Sequence, residues 1–359
     1  MNEAIAIEHL IEDRPPVAVE GATDVQVSGV TEDSRRVSDG DLFIARAGET
    51  HDGHTFIADA IEAGAAAVVV ERPWADLGVD RPDGVTVLQY ERVDELLVGE
   101  LAERVYGRPS EQLRLVGVTG TNGKTTVAYL LRHLLKATGT SCGMIGTVVV
   151  DTGDREERAT LTTPSAADLS RTLAEMVAAG CTAAVLEVSS HALDQGRVAA
   201  LKFDAGIYTN LSGDHLDYHP DMASYAAAKA KLFAMLPERG WAVVNADDEY
   251  METMLADCPA RPVKCRMRSS ADAAPDDTEP PSTGEATATP LALEKTYSRV
   301  RFDGPWGSLD VRLPLVGRHN AINALQAVAA AHALGAPSGE MHEALASCPQ
   351  VPGRLERVT

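Results

Sequence analysis

Gly117-Val118-Thr119-Gly120-Thr121-Asn122-Gly123-Lys124-Thr125 joins an apolar run at residues 114–118 to a helix-periodic stretch at 125–137. A buried strand, a glycine-rich turn and a helix in that order form a phosphate cradle. Glycines let backbone N–H groups turn toward an anion, and the helix N-terminus adds its dipole. Lys124 supplies a point charge, and the Thr125 hydroxyl is available to Mg²⁺. The general pattern for such loops places a glycine five positions before Gly123, where Val118 stands, so the spacing is a variant one.

Working outward, short apolar runs at 115–118, 183–188, 205–208 and 242–245 are separated by helical stretches near 125–137, 166–179 and 222–236. This alternation predicts an α/β chain with a mostly parallel sheet covered on both faces. Ligands on such sheets gather beyond the carboxyl ends of the strands, where the glycine-rich loop, Glu187 and residues 214–215 all fall. Residues 1–108 read as a small mixed N-terminal domain, with an extended segment at 40–45 and a helical run at 56–66 leading into Ala67-Val68-Val69-Val70. Pro109 closes that domain, and residues 109–345 form the central one. Residues 269–290, rich in Ala, Asp, Pro, Ser and Thr, read as a flexible insertion, with order returning at Leu291. A hairpin at 297–313 and an amphipathic helix at 320–334, stopped by Gly335, complete the domain. Residues 346–359 read as a linker.

The chain has 359 residues, 45% of them hydrophobic and only 4% aromatic, which suits α/β layers rather than a β-sandwich. A formal net charge of −21 opposes general binding to nucleic acid or to an anionic membrane surface, so an anionic ligand must meet locally placed cations. Five scattered cysteines without a metal-like pair, and an acidic N-terminus without a cationic start and apolar run, predict a reduced, cytoplasmic protein without membrane insertion. The sequence sets no oligomeric state.

Three further stretches carry chemistry. Glu187-Val188-Ser189-Ser190-His191-Ala192-Leu193 puts a carboxylate at the end of a buried strand, a hard oxygen ligand of the kind Mg²⁺ on a nucleotide requires. Residues 210–219 bring His215, His219, Asp214 and Asp217 into one loop. The two histidines have a zinc-pair spacing, but Gly213 and Pro220 oppose a continuous helix through both. A single histidine ligand to Mg²⁺ ranks first, an unliganded polar loop second and zinc last. In Tyr225-Ala226-Ala227-Ala228-Lys229-Ala230-Lys231-Leu232-Phe233, composition alone makes Lys229 no more than a charge on an alanine-rich helix.

Together with Asp33-Ser34-Arg35, Gly40-Asp41-Leu42-Phe43, Thr162-Thr163-Pro164, Gln195, Arg197 and Gly317-Arg318-His319-Asn320 with Asn323, these stretches resemble the Mur ligase family of ATP-dependent amide-forming enzymes. That family's loop is Gly-Thr-Asn-Gly-Lys-Thr, which accounts for the variant spacing. The resemblance covers most of the chain and is greatest to members that add a third amino acid to a UDP-N-acetylmuramoyl dipeptide. It implies that Gly120, Thr121, Asn122, Gly123, Lys124, Thr125 and Thr126 hold the ATP phosphates, and that Asn320 and Asn323 lie near the adenine. A helix N-cap is an alternative role for Asn320 alone. It also implies that Thr125, Glu187, His215 and Lys229 serve two Mg²⁺ ions, Lys229 as a carbamate, and that Ser34, Thr162, Thr163, Ser189, Gln195 and Arg197 hold the UDP-substrate.

The implied reaction is phosphorylation of a D-glutamyl carboxylate followed by displacement of phosphate by an amino acid, meso-diaminopimelate or L-lysine. Lys124, Lys229, His215 and Arg354 are the expected catalytic residues. The family carries a C-terminal Rossmann-like domain. This chain stops at Thr359, just past Arg354, and the expectation is that this domain is absent here or supplied by a separate chain. Competing readings are a folylpolyglutamate-type ligase, a nucleotide-binding fragment without turnover, and a generic P-loop NTPase; the last lacks an Asp-ended apolar strand.

Overall fold

Leu115, Val116 and Val118 are wholly buried, so the strand Arg114–Thr119 offers no polar face to water, as expected of a central strand in a sheet covered on both sides. In the computed structural model, which describes residues 4–48, 51–214, 217–269, 284–349 and 351, this strand lies inside an eleven-stranded sheet. From one edge the order is Glu156–Arg158, Val149–Asp151, Cys142–Ile145, Ala183–Glu187, Arg114–Thr119, Ala205–Tyr208, Trp241–Asn245, Arg261–Met267, Glu285–Leu293, Ser298–Gly304 and Gly307–Leu313. Pairing is parallel from Cys142–Ile145 through Glu285–Leu293 and antiparallel at both ends.

The helix Lys124–Ala137 buries Val127, Leu130, Leu131, Leu134 and Leu135, a stripe at helical spacing that packs into the same core as Val116, Val118 and Val185. The helix Arg318–Ala333 presents Ala324, Ala327, Val328 and Ala331 to that core. It begins two residues before the expected start at 320. Glu285–Pro290, expected in the insertion at 269–290, belong to the strand Glu285–Leu293; residues 270–283 lie outside the described residues. The expected hairpin is present as Ser298–Gly304 and Gly307–Leu313.

The chain forms two compact units. The sheet just described belongs to one, made of Leu113–Thr163, Ala179–Asp194 and Lys202–Thr359; the other comprises Met1–Gln112, Pro164–Ala178 and Gln195–Leu201. Within the latter, strands Ala18–Glu20, Thr86–Gln89, Ala67–Val70, Asp41–Ile44 and Gly29–Thr31 form a five-stranded sheet that is parallel except for its first pair. The helix Ala166–Ala178, expected as a crossover of the larger sheet, instead contributes Ala166 and Ala167 to this unit's core beside Leu97, Val98, Leu101 and Ala102 of the helix Glu95–Val105. Small residues permit the contact: a Cβ on Gly99 would stand 3.5 Å from that of Ala166, and 2.8 Å from that of Ala200 in the third segment of this unit. Asp168 anchors the same helix by pairing with Arg36 at 2.7 Å. Among the described residues, no helix is long and apolar enough to cross a membrane.

Candidate active site

The loop leaving Arg114–Thr119 turns on two glycines that other residues could not replace. Gly120 has φ of +146°, and a Cβ there would run into the Thr209 hydroxyl and stand 3.0 Å from the Asn210 carbonyl oxygen. Gly123, with φ of +89°, caps the helix Lys124–Ala137, and a Cβ there would lie 2.7 Å from Asn323 Oδ1. Among the described residues no side chain caps this helix, and its first turn lines a cavity of about 400 Å³. Thr121, Asn122, Lys124, Thr125 and Thr126 line that cavity on one side, and His319, Asn320 and Asn323 on another. Leu315, Ile322 and Val351 add an apolar wall.

The loop is held from below by the segment after Ala205–Tyr208. Thr121 N–H donates to the Asn210 carbonyl at 2.8 Å, Asn122 N–H to Asn210 Oδ1 at 3.1 Å, and Thr209 Oγ1 to the Asn122 carbonyl at 2.6 Å. Asp248 fixes that segment in turn. It accepts from the Tyr208 hydroxyl at 2.6 Å, from Leu211 N–H at 2.9 Å and from Tyr250 N–H at 3.0 Å. Asp248→Ala strips an acceptor from three donors at once. We expect a loss of about 2–3 kcal/mol in stability, read by urea denaturation, with nucleotide affinity weakening alongside. An unchanged midpoint would show that the loop does not depend on this carboxylate.

Glu187 ends its strand fully buried, and it accepts a hydrogen bond from Thr125 Oγ1 at 2.9 Å. Thr147 adds two more, from N–H at 3.0 Å and from Oγ1 at 3.0 Å. Hard oxygens from Thr125 and Glu187 beside an uncapped helix N-terminus fit a magnesium ion on a polyphosphate.

Lys229 lies on the helix Met222–Ala234, whose Asp221 cap accepts from Ser224 N–H at 2.7 Å. It is 1% exposed and donates to the Gly120 carbonyl at 3.1 Å, with its ammonium 4.4 Å from the Tyr225 ring centre. Burial, then the Lys124 ammonium, hold the Lys229 amine well below the usual lysine range, and Asp214 opposes them. The Tyr225 hydroxyl reaches Thr121 Oγ1 at 3.2 Å, so loop and helix share a buried polar contact.

The other expected site residues divide. Thr163 is buried and braces the strand end, donating to the Glu187 carbonyl at 2.9 Å and accepting from Ser189 N–H at 3.0 Å; Thr162 reaches Thr147 Oγ1 at 3.2 Å. Ser34, in the short helix Ser34–Arg36, and Gln195 and Arg197 belong to the other unit. His215 and Arg354 lie outside the described residues. The helix cap at Arg318–Ala333 is Gly317, so Asn320 is not an N-cap; its amide donates to the Val316 carbonyl at 2.8 Å from inside the first turn.

A profile of the Mur ligase middle domain matches residues 118–331, and one described as the Mur ligase family catalytic domain matches residues 26–106. The chain belongs to the Mur ligase family. It is 41% identical over 345 residues to the UDP-N-acetylmuramoyl-L-alanyl-D-glutamate--2,6-diaminopimelate ligase of Synechococcus elongatus, covering 94% of this chain and 65% of that protein. Identity to the enzyme of the same name from Xanthomonas campestris pv. campestris is 40% over 361 residues, covering 100% and 68%. A solved structure of a ligase of that name superposes with a TM-score of 0.79 at 26% identity, covering 99% of this chain and 69% of the other. The chain thus spans about two thirds of the length of the Mur ligases it matches.

Sequence reasoning passed over Thr147, Asn210, Asp248 and Tyr225 as site-forming residues. Thr147 follows the strand Cys142–Ile145, and that strand had not been anticipated. Tyr225 was visible only as the residue four before Lys229, the spacing that stacks two side chains on one helix face.

Proposed function

We propose that this Mur ligase family chain serves ATP-dependent amide-bond formation, adding 2,6-diaminopimelate or L-lysine to UDP-N-acetylmuramoyl-L-alanyl-D-glutamate. The observation that carries the reading is the Thr125–Glu187 pair set against the uncapped start of the Lys124 helix, in a chain whose relatives bear that ligase name. First-turn N–H groups and the Lys124 ammonium bind the terminal phosphates. Thr125 and Glu187 hold one magnesium ion, and His215 with a carbamylated Lys229 hold a second. The ions, when bound, neutralise charge spread over the transferring phosphoryl group. Asn320 and Asn323 address the base against the Leu315 and Ile322 wall. Ser34, Thr162, Thr163, Ser189, Gln195 and Arg197 hold the UDP-substrate, with Arg197 its main cation. Arg354 completes the catalytic set.

A D-glutamyl carboxylate oxygen attacks the γ-phosphorus, and the bond to ADP breaks. The incoming amine then attacks the acyl carbon, phosphate leaves with the bonding electrons, and the amine gives up a proton. Catalysis of this kind rests on positioning and electrostatics. The match of residues 26–106 to the Mur ligase family supports a UDP-muramoyl substrate over a folate. That none of the five cysteines is paired suits a cytoplasmic setting.

The test is amide formation and ADP release with UDP-N-acetylmuramoyl-L-alanyl-D-glutamate, ATP, Mg²⁺ and each amino acid, with nucleotide binding followed in parallel. Turnover with one amino acid establishes the ligase and its specificity. Nucleotide binding without turnover would instead make the chain a binding portion, and absence of both would sink the proposal.

A further inference from the structure

The parallel register sets Met144 opposite Val185 and Ile145 opposite Leu186, which carries Gly146 and Thr147 alongside Glu187. The backbone passes hard against the carboxylate there, since a Cβ on Gly146 would collide with Glu187 Oε1. Thr147 then takes both carboxylate oxygens. Its N–H donates to Oε1 at 3.0 Å and its hydroxyl to Oε2 at 3.0 Å.

A hydroxyl has one proton to give. Because that of Thr147 goes to Glu187, the 3.2 Å contact between Thr147 Oγ1 and Thr162 Oγ1 is made with Thr162 as donor. The hydrogen bonds therefore run in one direction, from Thr162 to Thr147 to Glu187. A buried carboxylate needs donors in any fold, and a single bond would mean no more than that. Two bonds from one residue, one to each oxygen, also fix the carboxylate plane.

We propose that Thr147 is a positioning residue that sets the plane of Glu187 for a divalent cation and joins it to the Thr162–Thr163 segment. The proposal rests on the reading of Glu187 as a metal ligand. Partners that orient a metal-binding carboxylate change metal affinity by roughly 10–100-fold when removed. Thr147→Val keeps the shape and the N–H but deletes the hydroxyl, whereas Thr147→Ser keeps the hydroxyl.

The experiment uses Mn²⁺, followed by electron paramagnetic resonance in the presence of a non-hydrolysable ATP analogue, together with thermal unfolding of each variant. Thr147→Val should bind Mn²⁺ about tenfold more weakly with an unchanged melting temperature, and Thr147→Ser should stay within about twofold of the parent. Wild-type Mn²⁺ affinity in Thr147→Val would overturn the proposal. So would a loss shared by Thr147→Ser and matched by a fall in melting temperature, since that pattern marks a structural brace. Glu187→Gln separates the two levels: if it too leaves Mn²⁺ binding intact, the metal-ligand reading of Glu187 fails, whatever Thr147 does.

Discussion

Lys229→Ala should lower ligase turnover at least about a hundredfold, and millimolar formate or acetate should restore part of it. A lysine with 1% exposure that donates to a backbone carbonyl, beside a second lysine, is poorly placed to keep its charge. A neutral amine is nucleophilic toward CO₂: the N–C bond forms, a proton leaves, and the product is an anionic oxygen ligand. Alanine leaves a space that a small carboxylate can fill with the same charge. Full loss without rescue would remove the carbamate from the mechanism.

The same burial predicts a pH effect of opposite sign to that of a salt-bridged lysine. The folded-state pKa lies below the ordinary lysine value of 10.5, so below 10.5 the unfolded chain takes up a proton that the folded chain refuses. Stability at this position is therefore lost as pH falls through that window, by about 1.4 kcal/mol per pH unit for one proton, until the folded amine also protonates. Lys229→Met lacks the titration. In CO₂-free buffer its stability relative to the parent should rise as pH is lowered from 10.5, and parallel curves would refute a depressed Lys229.

Lys124→Ala should cost about 10²–10³-fold in turnover and weaken binding of Mg²⁺-ATP analogues, measured by calorimetry. Its ammonium folds over the loop, donating to the Gly120 carbonyl at 2.8 Å and the Thr121 carbonyl at 3.1 Å, so it sits beside the helix start to which the proposal assigns the terminal phosphates. Arginine should not substitute, because a planar fork cannot replace a compact charge packed against two carbonyls. Unimpaired nucleotide affinity in Lys124→Ala would take the loop out of the mechanism. The Gly120 carbonyl accepts from Lys124 and Lys229 alike, and removing the Lys124 ammonium also takes away one of the causes that hold the Lys229 amine low.

The parallel core was legible because Leu115–Val118 and Ala183–Leu186 are apolar on both faces, and the glycine loop punctuates the first of them. Arg261–Met267 was not, since Arg261, Lys264 and Arg266 flank Val263 and Cys265 and make the stretch look charged until its exposed face is known. The helix Ala166–Ala178 was seen, but not which unit it serves. An amphipathic stripe says that a core exists without saying which. At the site, the loop and Lys229 could be named from motif order. Thr147 and Asp248 act through register and through a turn, and neither leaves a mark in local sequence.

The N-terminal unit is closed by segments encoded far downstream, Pro164–Ala178 and Gln195–Leu201. During synthesis its five strands can pair early, but Leu97, Leu101 and their neighbours stay without Ala166 and Ala167 until that later stretch has left the ribosome. The nascent chain must carry an unfinished apolar surface while the Lys124 loop and its helix are already emerging. Cutting the chain at Gln112 would therefore release an incomplete unit, and a stable N-terminal fragment would need the later helix grafted back on.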